Sequence, residues 1–312
     1  MRSSRSRSGN WGDRLFGGAS LGFALLILVL VAVLVGELAW NSRLALRAFG
    51  PAFLWSQNWD PVQELFGALP FIYGTLATSV VALLISIPLG LGTAIFLVEL
   101  APPRVSETIS FLVELLAAIP SVIYGLVGLF VVVPWVRTAF CPSVSAALGW
   151  IPIFQASPYG VGIFTAGIIL AVMIVPFITT VSREVLLMVP RSQREAALAL
   201  GATHWEMVST AILPYARSGI AGSIFLALAR ALGETMAVTM VIGNRPEIRA
   251  SLFEPGYTMA AVLANEFSEA TSDLHLHALI EIGLVLFVIT IIVNGLARLL
   301  LLKLGRTTEG RS

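Results

Sequence analysis

Apolar residues along this chain gather into six continuous runs separated by polar stretches, near residues 19–40, 72–98, 109–133, 160–181, 219–242 and 276–300. None of the runs carries more than two formal charges. A hydrocarbon core about 30 Å thick takes about 20 apolar residues of helix, so each run is long enough to cross once. The runs do not alternate polar with apolar, which excludes the strands of a barrel, and a helix satisfies each backbone amide within its own segment. The pattern predicts an all-α membrane protein with six transmembrane helices.

The polar stretches divide the chain. Residues 1–18 form a tail of serine and arginine, 19–40 the first helix, 41–71 a segment outside the bilayer, 72–302 a five-helix core, and 303–312 a second tail. The opening resembles a secretory signal, but a signal's apolar region spans about 7–15 residues. This run continues from Ala19 to Val35 and past Glu37, so it reads as a retained helix. The tail before it, poor in apolar residues, is expected to be disordered.

Composition narrows the chemistry. Only 12% of the 312 residues are charged against 57% hydrophobic, about half the charge of an average soluble domain. With one cysteine, Cys141, no internal disulfide can form, and three histidines leave little for a metal site or a histidine-based triad. His275 and His277 stand two apart, a spacing that does not share a helical face. A net charge of +1 and a single lysine, Lys303, offer no basic stripe for nucleic acid. Trp40, Trp55, Trp59, Trp135 and Trp150 fall near the predicted outer boundaries, as an interfacial belt would.

Positive charge near helix ends stays in the cytoplasm. With the N-terminus inside, Arg2, Arg5, Arg7, Arg14, Arg104, Arg183, Arg191, Arg194, Arg217, Lys303, Arg306 and Arg311 all fall on that side. The opposite side holds Arg43, Arg47, Arg137, Arg245 and Arg249, so both termini are expected in the cytoplasm of a multi-pass plasma-membrane protein. The outer loop 243–274 also carries Glu247, Glu254, Glu266, Glu269 and Asp273, acids that do not oppose export.

The inner loop 182–214 is helical in pattern yet too polar for the bilayer. Ser192 with Glu195, and Thr203 with Glu206, have capping-box spacing. Ala196, Ala197, Leu198, Ala199 and Leu200 are mostly good helix formers, and Gly201 stands where a left-handed residue closes a helix. The loop therefore predicts two short helices, near 193–200 and 204–212, bent at Gly201 and ended by Pro214. Tethered between spans and nearly balanced in charge, this elbow lacks the basic residues that a DNA-binding helix pair needs.

Glu195-Ala196-Ala197, then Gly201, then Leu213-Pro214 resemble the EAA signature of ABC-importer permeases. The family's isoleucine two residues before the leucine is replaced by Ala211, and Ile212 follows it. The resemblance implies a type I, MetI-like permease fold whose cytoplasmic coupling helix docks on an ATPase subunit through these residues. No G-x-x-x-x-G-K-[ST] loop exists here, because Lys303 is flanked by leucines. The resemblance thus implies that this chain is not itself an enzyme and binds no cofactor, with ATP and Mg held by the partner ATPase.

The fifth run places Arg230 and Glu234 four apart, a spacing that puts them on one helical face. Charges at that depth cost at least about 2.5–3.5 kcal/mol on insertion scales and face a partner or a water-filled path. Two readings stand: an intrahelical ion pair that fixes packing, or a solute site with room left by Ala229, Ala231, Gly233 and Ala237. Residues Leu228 to Val238 and Gly243-Asn244, with Gly67 to Thr75 and Ile119 to Gly125, resemble phosphate-specific transport permeases of PstC type. That resemblance implies import of inorganic phosphate, with a homologous PstA-type permease, a dimeric PstB-type ATPase and an extracytoplasmic PstS-type phosphate-binding protein as partners. It points to Arg230, Glu234 and Thr235 as path residues. Arginine offers an oxyanion a fixed fork of donors. A carboxylate at Glu234 fits an anion path if it orients Arg230 and accepts a hydrogen bond from a protonated oxyanion. Another solute on the same fold, or an ion-driven secondary transporter with inverted repeats and broken helices, are the alternatives. A membrane-embedded enzyme lacks a nucleophile paired with a base.

Overall fold

The computed structural model describes residues 11–309, with side chains as far as Leu299. Among these residues the chain is helical, with only two isolated bridge pairs, and six helices are long and apolar enough to cross a membrane. They are Trp11–Asn41, Leu69–Leu100, Ser121–Leu148, Ile163–Leu187, His204–Leu232 and Asp273–Leu299, the last continuing as helix to Glu309. Residues 11–18, placed in the tail by sequence, belong to the first helix, and so do 303–309 to the last. The expectation of disorder for 1–10 lies outside the described residues.

The fourth span is the hub, because it packs on the second and fifth and buries more of its length than any other. Small residues bring it close to the second span. A Cβ on Gly90 would lie 2.8 Å from Ile178 Cγ2, and one on Gly167 2.4 Å from Val81 Cγ1. Thr179 Oγ1 donates to the Gly90 carbonyl across this seam at 3.3 Å, and Ser182 and Ser223 join the fourth and fifth spans at 2.9 Å. The first span buries no residue and lies along the last.

Two predicted runs are broken. The run 109–133 is interrupted at Pro120: the residue before a proline is pushed to extended backbone, and Ile119 has ψ 129°. Pro103–Ala118 is thus a separate amphipathic helix, and the third span starts at Ser121. The run 219–242 is interrupted at Gly233–Thr235, between a helix ending at Leu232 and a short one from Met236 to Ile242. Trp59 also departs from the belt: it packs edge-on against Phe66 and Phe71 and donates to Glu266 at 2.9 Å.

Candidate functional site

Two places combine polar chemistry with unusual backbone. The first is the elbow. Its leading helix, Arg191–Ala199, starts directly after Pro190, so the Ser192–Glu195 box does not form. Gly201 turns the chain with φ +85°, the left-handed conformation that the sequence assigned to it. The second box is present: Thr203 Oγ1 accepts from the Glu206 amide at 3.3 Å, and Glu206 Oε2 accepts from the Thr203 amide at 2.8 Å.

Pro214 does not end the second arm. A proline lacks an amide and crowds the carbonyl four residues back, here Thr210, and the turn Val208–Ile212 widens into a π-helical turn that accommodates it. The arm therefore runs unbroken from His204 to Leu232, making the elbow's second arm and the fifth span one rod. The extra residue in that turn carries Ile212 inward. Ile212 is fully buried among Leu186, Met207 and Val208, which makes it the anchor in place of Ala211.

Arg194 ties the elbow down, a role the sequence reading missed. Its Nη2 donates to Glu99 Oε1 at 2.8 Å and its Nε to the same oxygen at 3.1 Å, while its remaining donors reach the carbonyls of Leu186 and Val189. Only 6% of the Glu99 side chain and 19% of Arg194 are exposed, so the pair is largely out of water. One guanidinium thus joins the leading elbow helix to the ends of the second and fourth spans. An isolated acid at the close of an apolar run, facing a loop arginine, was the available signal. Glu195, Ala196 and Gly201 remain exposed, Ala197 and Leu213 pack partly into the cluster beneath, and Pro214 is exposed. The tip also presents Leu200 and Trp205, 89% and 69% exposed.

The second place is the interruption of the fifth span. Arg230, in the last turn before it, is exposed and lies 4.4 Å above the ring of Phe177 on the fourth span. Arg230 and Glu234 do not share a helical face, because the helix has already ended at Leu232. Glu234 Oε1 instead accepts from the Ala237 amide at 3.3 Å, at the start of the short helix. Among the described residues no ion pair joins the two, which removes the intrahelical pair as the explanation of either charge. Thr235 Oγ1 donates to the Gly233 carbonyl at 3.4 Å. Arg230, Glu234 and Thr235, the residues that the resemblance assigns to the path, are therefore neighbours at one interruption rather than a preformed cluster. Irregular backbone inside an apolar run occurs where it is buried in protein or lines a watered cavity. Gly233 is exposed, with only the Ala229 carbonyl within 4 Å of a Cβ placed on it.

The other charges are local. Glu37 accepts from Asn41 within the first span, and His275 and His277 diverge, to Glu266 and to the Asn41 carbonyl. Tyr257, between spans, has its phenol pushed upward by burial and accepts from Asn265.

Comparison with known proteins places this geometry. Residues 86–306 match the family described as binding-protein-dependent transport system inner membrane component. The chain is 46% identical over 300 residues to the phosphate transport system permease protein PstC of Mesorhizobium japonicum, covering 95% of this chain and 92% of the relative. It is 47% identical over 301 residues to PstC of Haemophilus influenzae, covering 95% of each. Two solved structures share the fold. One is a bacterial alginate ABC transporter, at TM-score 0.58 and 16% identity over 92% of this chain and 95% of that one. The other is the MetNI methionine ABC transporter in an inward-facing form, at 0.56 and 18% over 79% and 99%.

Proposed function

Because this chain belongs to the family of inner-membrane components of binding-protein-dependent transport systems, we propose that it forms half of a phosphate path driven by an ATPase on a separate subunit. The observation that carries this reading is the elbow: a polar helix pair bonded through Arg194 to two spans and continuous with a third. A push on its tip moves the fifth span, and Arg230 with it, as one rod. Nucleotide acts at a distance by favouring one of two arrangements of the docked elbow. ATP and Mg belong to the partner ATPase, and the exposed Leu200 and Trp205 are suited to fill an apolar cleft on it.

A PstA-type permease completes the path, a PstB-type dimer supplies the ATPase, and a PstS-type protein delivers phosphate from outside. Both termini and the elbow face the cytoplasm, the side richer in arginine. Arg230, steadied by Phe177, attracts the anion. Glu234 caps the short helix in this arrangement and accepts from a protonated phosphate oxygen as the anion passes, a bond that sulfate at neutral pH cannot give. Thr235 adds a hydroxyl at the same level.

Uptake of phosphate and sulfate by cells carrying Glu234→Gln tests the filter. Selectivity should fall while the protein still reaches the membrane; unchanged rate and selectivity would remove Glu234 from the path.

A further inference from the structure

An apolar groove of about 750 Å³ runs between the second and last spans, roofed by the short helices Arg43–Phe49 and Gly50–Leu54. Its lower walls are aliphatic, with Leu76 on one side and Leu284, Val288 and Ile292 on the other. One polar side chain lines it. Glu281 is 3% exposed, and its Oε2 is buried without a hydrogen-bond partner among the described residues. A carboxyl at membrane depth is costly, and this one stands at the groove's upper wall with its Oε2 closed off from the groove itself.

The roof carries the complementary charge. Leu46 and Gly50 line the groove, and Arg43 and Arg47 stand exposed on the same short helix, each three positions before one of them, with the Arg43 guanidinium 4.3 Å above the Trp40 ring. Trp55, 73% exposed, lines the same lip, as an interfacial tryptophan does. From the lip inward the order is cations and tryptophan, then one carboxyl, then hydrocarbon. A phospholipid has the matching order of phosphate, ester carbonyl and acyl chain.

We propose that this groove is a phospholipid site holding one lipid of the leaflet at the Arg43–Leu54 end. Its phosphate lies against Arg43 and Arg47, its ester region lies at the level of Glu281, and its acyl chain lies along Val288 and Ile292. The site is independent of the solute path, so it stands whichever solute the chain carries.

Photolabelling tests it. The full chain, with its co-purifying subunits, is reconstituted in vesicles of phosphatidylethanolamine and phosphatidylglycerol containing a phosphatidylethanolamine with a diazirine on its acyl chain. Irradiation should label the peptides spanning 284–293 and 46–55 above all other exposed span surfaces. Replacing both lip arginines, Arg43→Ala with Arg47→Ala, should lower that labelling roughly thirtyfold, as expected for the loss of two cations at a lipid surface. Val288→Trp, which fills the groove, should lower it too, and Leu26→Trp on the first span should not. Labelling that follows exposed area and ignores these changes would mean ordinary boundary lipid. A crosslink from the groove to another polypeptide would mean that a helix occupies it. Either result overturns the proposal. The arginine pair is on the surface, so that variant remains informative if Val288→Trp does not fold.

Discussion

Arg194 shows how one side chain serves fold and function together. It satisfies a buried carboxylate and two span-end carbonyls, so Arg194→Ala leaves Glu99 without its partner in a site nearly closed to water. Removing one member of such a pair costs about 3–5 kcal/mol. Thermal unfolding in detergent should show that loss, and Glu99→Gln added to Arg194→Ala should recover much of it. Gly201 carries a smaller, local burden. The space around it is open, so Gly201→Ala meets only the left-handed backbone, a cost of about 1–2 kcal/mol. Hydrogen exchange should show faster opening of the elbow amides with the spans unaffected. Arg230→Lys keeps the charge and loses both the fork and the flat face that stacks on Phe177. Phosphate uptake should fall severalfold in that variant without loss of melting temperature.

At the scale of elements, prolines explain most of what the sequence concealed. The six runs and the elbow were legible from hydropathy, and Gly201 and the Thr203–Glu206 box from spacing alone. The fate of each proline was not, because hydropathy does not say whether the backbone around it stays helical. Pro120 breaks a predicted run, with Ile119 extended before it, whereas Pro88 and Pro176 sit inside helices that continue without a widened turn. Pro134, Pro142 and Pro214 each follow a π-helical turn that ends two residues earlier, and the helix continues through all three. A widened turn moves the conflicting carbonyl aside, and hydropathy contains no trace of it. Pro214→Ala removes the reason for the wide turn. The arm should then tighten to an ordinary helix and rotate the elbow against the fifth span. ATPase stimulation by the binding protein should drop while the melting temperature holds or rises. The pairing of Arg194 with Glu99 left only the hint of an isolated acid closing an apolar run, and that of Arg230 with Phe177 left none, because partners 95 and 53 positions apart share no local pattern.

The whole molecule is a bundle around its fourth span, with the elbow fastened at one end and an interrupted helix beside Arg230 within the bundle. The sequence placed Arg230, Glu234 and Thr235 together but on a continuous helix; the structure keeps them together at its end. The central claim is that the bundle is a passive path moved by force applied to its elbow. The most direct measurement is phosphate uptake into vesicles containing this chain with its co-purifying subunits, with and without ATP, for wild type and Arg194→Ala. The account predicts uptake only with ATP, and ATP hydrolysis largely uncoupled from uptake once Arg194 is gone. Concentrative uptake by this chain alone without nucleotide, or undiminished coupling in Arg194→Ala, would contradict it.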